Sequence, residues 1–330
     1  MRCAVIGAGA WGTALADLLA SNGHDTVIWA HEPDVAASIN AAHENRFLRG
    51  IALSTALRAS TDQREALSGA ALVVYATPSH HLRRIAREGA PCVRRDAVLA
   101  VATKGIERET LALMTSITET EVNARAVVGI SGPSFASEVA SRHPTAIVAA
   151  STNDDAALLV QAALSSASFR VYTHDDVTGV ELAGALKNVI AVATGIVEGV
   201  GLGFNSRAAL ITRGLHEMTR LGAALGARAS TFAGLAGVGD LVLTCTGPLS
   251  RNHALGVEIG RGATLEAALA GKETVAEGVF TTASALQLAQ RHQVDMPIVT
   301  MAHRILFDGY PARDAVPELM ARELRSEQDL

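Results

Sequence analysis

The chain has 330 residues, a formal net charge of −5 and a hydrophobic fraction of 49%. That length suits two domains, and the apolar fraction supplies a large core. Aromatic residues make up only 4% and no basic run stands out, so the core is mostly Ala, Val, Leu and Ile, and a nucleic-acid partner has no electrostatic footprint.

Seven continuous apolar runs in the first half predict strands: residues 3–6, 26–29, 72–76, 98–102, 127–130, 146–149 and 169–172. Their polarity does not alternate, which predicts burial on both faces, as in a parallel sheet covered by helices. The helix-like stretches between them predict successive βαβ units. After about residue 177 these runs stop. Residues 180–198, 208–225, 251–259, 281–290 and 298–307 predict helices, with Gly226, Gly260 and Gly309 as stop signals. The expected fold class is α/β: a Rossmann-like doubly wound domain over residues 1–176, then an all-α substrate-binding and catalytic domain over residues 177–330.

The N-terminus has the outline of a signal peptide, with Arg2, an apolar run and Ala14–Ala16. However, Gly7, Gly9 and Gly12 interrupt that run and Asp17 follows it, which fits a nucleotide-binding start better. The longest apolar stretch, residues 182–197, carries Lys187 and Asn188, so no uncharged segment approaches the roughly 20 residues of a bilayer span. The expectation is a soluble, cytoplasmic chain without stable membrane insertion. Cys3, Cys92 and Cys245 have neither CxxC nor metal-ligand spacing, which suits a reducing compartment. The histidines are scattered; His80 and His81 have no partnering carboxylates or Cys, so no metal site is expected.

Gly7, Gly9 and Gly12 form GxGxxG between the first predicted strand and a helix. In such a loop the first glycine makes the tight turn, the second lets the backbone approach a pyrophosphate, and the third lets helix and strand pack closely. The helix start then offers free N–H groups to the phosphates. Glu32, ending the second βαβ strand region, stands where a carboxylate can bond an adenosine ribose and favour NAD. Its neighbour His31 can instead contact a 2′-phosphate, which leaves NAD and NADP both open. Thr77-Pro78-Ser79 follows another strand and either lines the cofactor or starts a helix.

Only three of the positively charged residues are lysines: Lys104, Lys187 and Lys272. Arg cannot deprotonate in a protein, whereas a buried Lys shifts its pKa readily, so a lysine in an arginine-rich chain marks a place where Arg would not serve. Lys187 is the only charge between Glu181 and Glu198. On a helix its neighbours three and four positions away are Ala183, Gly184, Ile190 and Ala191, an apolar surround that is expected to lower its pKa.

The blocks GAGAWGTALA, TKG (103–105), SGPSFA (131–136), LKNVIAVATG (186–195), GVGDLVLTCTG (237–247), SRN (250–252) and VAEGV (275–279) occur in this order. Together they resemble the bacterial type of NAD(P)-dependent glycerol-3-phosphate dehydrogenase over nearly the whole chain. The resemblance implies interconversion of dihydroxyacetone phosphate and sn-glycerol 3-phosphate, which supplies glycerophospholipid synthesis, at a site between a Rossmann-like and a helical domain. It puts Lys187 on the family's catalytic lysine and Lys104 on a second lysine that contacts substrate and cofactor. Gly132, Ser134, Asp240, Ser250, Arg251 and Asn252 fall on substrate-contacting positions. Cofactor-contacting positions fall on Gly7, Gly9, Ala10, Trp11, Gly12, His31, Glu32, Ala136, Val275 and Glu277, and Arg251 also touches the cofactor. Ala10 replaces a serine common in the family. His31 stands where NADP-preferring members have Arg, and His253 and Ala254 replace a more basic or aromatic run.

Two other readings fit parts of the sequence. β-Hydroxyacid and 6-phosphogluconate dehydrogenases also use a helix-borne Lys followed by Asn, but TKG, SGPSF and SRN point away from them. A non-catalytic nucleotide sensor would bind cofactor without turnover, and the lysine pair speaks against it. The apolar helices of the second half suit a homodimer acting on a small phosphorylated triose.

Overall fold

β1 (Arg2–Ile6) is apolar on both faces and ends directly in the glycine loop. In the computed structural model, which describes residues 1–272, 276–324 and 326–327, it lies inside a sheet. The partner strands are β2 (Asp25–Trp29), β3 (Arg58–Ser60), β4 (Leu72–Tyr75), β5 (Val98–Val101), β6 (Ala126–Ser131), β7 (Thr145–Ala150) and β8 (Phe169–His174). Among the described residues the sheet order is β3-β2-β1-β4-β5-β6-β7-β8. Ile6 pairs in register with Trp29 on one side and Tyr75 on the other. The strand order reverses at β1, so the glycine loop opens at a topological switch point, where doubly wound sheets collect ligands.

Two features depart from the sequence expectation. β3, the tripeptide Arg58-Ala59-Ser60, has no apolar run to announce it and lies at the sheet edge. β7 runs antiparallel to β6, with Ser131 opposite Val148, whereas every other neighbour pair is parallel. The helix between them, Ala136–Ala140, is only 5 residues long. It is too short to carry the chain back along the sheet for a parallel crossover.

The chain divides into two compact units: Met1–Lys104 with Leu113–Val177, and Gly105–Ala112 with Thr178–Leu330. The first holds the sheet and its covering helices; the second is helical. In the helical unit, Val177–Gly199 is buried at every position from Leu182 to Val197. A helix apolar all round must lie in a core. Two helical stretches, Val177–Gly199 and Ala229–Thr246, are long and apolar enough to cross a membrane by length and composition, but the most apolar window of the first is 94% buried. The other predicted helices appear as Phe204–Ala224, Arg251–Gly260, Glu277–Arg291 and Pro297–Phe307. Gly226 and Gly309 are indeed left-handed stops, with φ of 84° and 70°.

Gly260 ends its helix as expected and has a second job as well. It belongs to a seam in which Val177–Gly199 and Arg251–Gly260 run side by side. A Cβ on Gly195 would stand 2.1 Å from the His253 carbonyl oxygen, and one on Gly256 would stand 2.1 Å from that of Val192. One turn further on, Gly199 and Gly260 repeat the pattern at 2.3 Å. The glycines thus bring two backbones into contact, as small residues spaced by four do in other closely packed helix pairs. This registers the start of the SRN helix against Lys187 and Asn188.

Candidate active site

The dinucleotide loop is built from the absence of side chains. Gly7 has φ 116°, and a Cβ there would stand 2.8 Å from the Ala76 carbonyl oxygen at the end of β4. A Cβ on Gly12 would stand 1.9 Å from the Gly7 oxygen. Around Gly9, by contrast, an added Cβ meets nothing within 4 Å. Gly9 is also the N-cap of the helix Ala10–Ser21 and uses no side chain to cap it. Two glycines are therefore demanded by close packing, and the middle one faces open space at a helix N-terminus. That cradle fits the pyrophosphate of a dinucleotide. Ala10 and Trp11 open the same helix, both half-buried.

Glu32, half-buried, is the N-cap residue of the helix Pro33–Ala42, and His31 beside it is exposed. His80 and His81 start the helix Ser79–Gly89 with rings 3.9 Å apart. Partial burial lowers both of their pKa values, and His80, Arg84 and His31 push that of His81 down further. Burial first, and then these neighbouring charges, disfavour the charged form of His81.

Lys104 follows β5 and is half-buried. Its Nζ donates to the Gly132 carbonyl at 3.4 Å, and Ser134 Oγ donates to the same oxygen at 3.0 Å. Gly132 has φ 141°, and a Cβ on it would press on Ile147 Cα at 2.8 Å. The turn after β6 therefore requires glycine and gathers Lys104 and Ser134 on one carbonyl. Ala136 begins the short helix that packs against the glycine-loop helix.

In the helical unit, Lys187 is buried, with its Nζ 2.5 Å from Asp240 Oδ1 and 2.8 Å from Thr244 Oγ1. A π-helical turn, Leu235–Gly239, precedes Asp240 and is broken at Gly237, where a Cβ would stand 2.0 Å from the Phe232 carbonyl oxygen. The chain then enters the helix Asp240–Thr246, whose first and fifth residues share one face and converge on Lys187. The surround of Lys187 is thus not the purely apolar one expected from its helical neighbours. A carboxylate that is itself 1% exposed stabilises the ammonium form and opposes desolvation.

Next along the helix, Asn188 Oδ1 accepts from Asn252 Nδ2 at 2.9 Å, and Asn252 Oδ1 accepts from the Gly278 N–H at 2.9 Å. This chain of amides joins three helices. Ser250 caps the helix Arg251–Gly260 by accepting from the His253 N–H at 3.2 Å. Arg251, the first residue of that helix, is exposed. Its pKa is lowered by the protein around it, and Glu277 opposes that shift. Val275 lies outside the described residues.

The family model described as the NAD-dependent glycerol-3-phosphate dehydrogenase N-terminus matches residues 2–157, and the model of the corresponding C-terminus matches residues 176–317. The chain belongs to the NAD-dependent glycerol-3-phosphate dehydrogenase family. Curated relatives named glycerol-3-phosphate dehydrogenase [NAD(P)+] include one from Trichlorobacter lovleyi, 53% identical over 99% of this chain and 100% of its own length. Another, from Geobacter sulfurreducens, is 50% identical over 99% of each chain. The crystal structure of the Coxiella burnetii glycerol-3-phosphate dehydrogenase matches with a TM-score of 0.93 and 39% identity, covering 97% of this chain and 99% of that one. A ketopantoate reductase from Ralstonia eutropha is alike in fold alone, with a TM-score of 0.63 at 16% identity.

As a member of this family, the chain uses NAD or NADP as its cofactor. Thr244 is the residue of the lysine cluster that sequence reading passed over. Its signal was available: it lies four positions after Asp240 in a helix-compatible run. The two buried thiols, Cys3 and Cys245, are packing groups. Burial raises the pKa of Cys3 to about 11 and that of Cys245 to about 12, so neither is a nucleophile at neutral pH.

Proposed function

We propose that the chain reduces dihydroxyacetone phosphate to sn-glycerol 3-phosphate with NADH or NADPH, and runs the reverse, supplying glycerophospholipid synthesis. The observation that carries this reading is the buried Lys187–Asp240–Thr244 set, taken with family membership across both halves of the chain. The reduced nicotinamide, when bound, supplies hydride to the ketone carbon. Lys187 Nζ gives a proton to the carbonyl oxygen as that hydride arrives, and takes the hydroxyl proton back in the reverse direction. Asp240 and Thr244 aim Nζ and keep it charged before transfer. Lys104 steadies the carbonyl oxygen electrostatically, with Gly132 and Ser134 setting its position. Arg251 offers a guanidinium fork to the phosphate dianion, beside the helix N-terminus that Ser250 caps, with Asn252 held in line by Asn188. Glu32 takes the adenosine ribose, and the cofactor also meets Ala10, Trp11, His31, Ala136 and Glu277.

NADH oxidation measured with a panel of ketones tests this directly. Turnover of dihydroxyacetone phosphate is expected. Turnover of a β-hydroxyacid-type or 6-phosphogluconate-type substrate in its place would reject the reading, and cofactor binding with no turnover at all would favour a sensor. We further propose a cytoplasmic homodimer, supported by exposed apolar residues on the helical unit such as Phe204 and Met320, 80% and 78% exposed. A monomer in sedimentation at micromolar concentration would reject the dimer.

A further inference from the structure

We propose that Asn45 is a positioning residue for the cofactor, fixing the Ala8–Gly9 peptide so that the Gly9 N–H faces the pyrophosphate. Asn45 lies outside the glycine motif, at the N-cap of the short turn Arg46–Leu48, and is 2% exposed. Its Nδ2 donates to the Ala8 carbonyl at 2.9 Å and to Thr13 Oγ1 at 2.7 Å, while Thr13 Oγ1 donates to the same carbonyl at 3.2 Å. The Phe47 N–H, 2.9 Å from Asn45 Oδ1, fixes which end of the amide is the acceptor. All three side-chain contacts are buried, and they close a ring around one backbone oxygen.

The consequence follows from peptide geometry. No described peptide bond is cis. In a trans peptide the C=O and the next N–H point in opposite directions. Holding the Ala8 oxygen inward therefore turns the Gly9 N–H away from Asn45 and Thr13, at a residue where an added Cβ would meet nothing within 4 Å. Glycines on both sides of Ala8 let the backbone approach a ligand, but they also leave that peptide easy to rotate. A flipped peptide would present a carbonyl oxygen to a phosphate. The Asn45–Thr13 pair removes that freedom.

The test uses the full-length chain and binding rather than turnover, with NADH followed by its fluorescence and ADP and adenosine by displacement of NADH. Asn45→Asp keeps the size and the acceptor for Phe47 but turns an acceptor toward the Ala8 oxygen. It is expected to weaken NADH and ADP by about tenfold or more, the scale of one to two lost hydrogen bonds, with adenosine changed by less than about twofold. Thr13→Val, nearly isosteric, is expected to show the same split at roughly threefold, and it decides the matter if the first variant does not fold. Unchanged affinity for NADH and ADP overturns the proposal. An equal loss for ADP and adenosine also overturns it, because a general disturbance of the pocket would not single out the phosphates.

Discussion

The glycine loop of the dinucleotide unit presents backbone to its ligand, whereas the helical unit presents side chains. In the first, Gly7 and Gly12 are glycines because a methyl group would strike a carbonyl, and Gly9 leaves room for a ligand. In the second, Lys187 meets Asp240 from 53 residues away and Asn188 meets Asn252 from 64 residues away. The first site is therefore sensitive to atoms added, and the second to a change in what a charged group can do. A buried ion pair such as Lys187–Asp240 is weak evidence for stability, since desolvation offsets much of the attraction. Its place in the core helix supports the proposed proton transfer instead.

The sharpest test of that contrast is Lys187→Arg. The positive charge and the pairing with Asp240 survive, but Arg does not release a proton. Loss of a positioned general acid typically costs about 10²–10⁴ in rate, so kcat for dihydroxyacetone phosphate should fall into that range. The Kd for NADH, set by the other unit's loop, should stay within about twofold, well under 1 kcal/mol. Turnover close to that of the parent would remove Lys187 from proton transfer. A matching loss in NADH affinity would break the separation between the two units.

The next largest effects come from adding one methyl at two glycines of the same loop. Gly12→Ala forces the helix Ala10–Ser21 away from Gly7, and overpacking of this kind costs about 1–3 kcal/mol, so Tm and NADH affinity should both drop. Gly9→Ala has φ −67° and clear space, so Tm should hold while NADH affinity falls roughly tenfold, because the methyl stands where the pyrophosphate approaches. Equal melting shifts in both variants would show that Gly9 is a packing residue too.

These differences explain what could be read from sequence. The glycine loop is local: strand, three glycines and helix follow one another, so spacing alone reveals it. The members of the helical site were also visible, because Lys187 and Asn188 interrupt an apolar run. Their pairing was not, since it depends on a seam of Gly195, Gly199, Gly256 and Gly260 that sets two helices in register. That spacing of four was present in the sequence, but nothing in one helix names its partner. Asp240 is a carboxylate able to orient a lysine, but which lysine it meets depends on the fold, and with it the true electrostatics of Lys187. Asn45 was missed because its role is to hold a backbone oxygen in another element, which leaves no local pattern. β3 was missed because three polar-edged residues have no period to detect.

Lys104→Arg should give a smaller effect than Lys187→Arg. Lys104 Nζ sits 3.4 Å from the Gly132 oxygen and is half-buried, an arrangement in which a guanidinium can also donate. If Lys104 acts by charge and position alone, kcat/KM should fall by roughly tenfold, about 1.4 kcal/mol. Steady-state rates that fall as far as those of Lys187→Arg would assign proton transfer to both lysines and dissolve the division of labour.

The smallest effect on turnover is expected at another buried charge of the helical unit. Glu217 is 1% exposed and accepts from the N–H groups of Ile298 and Val299, at 2.7 and 3.2 Å, at the start of the helix Pro297–Phe307. Burial raises its pKa from the ordinary 4.5 to about 7, against the pull of those two amides and of Arg220. The folded chain therefore holds this proton more tightly than the unfolded chain. The stability it contributes is complete below pH 4.5, shrinks as pH rises from 4.5 to about 7, and is gone above that. Across that window the shift amounts to something on the order of 3 kcal/mol. Glu217→Gln cannot titrate, so the gap in Tm between the parent chain and this variant should move in the variant's favour as pH rises through the window. Turnover should be unaffected, since Glu217 touches no group of either site. A Tm gap that stays constant from pH 4.5 to 8 would mean that helix N-terminal amides hold Glu217 ionised throughout. The helical unit would then neutralise buried charge as completely with backbone as it does with the Lys187–Asp240 pair.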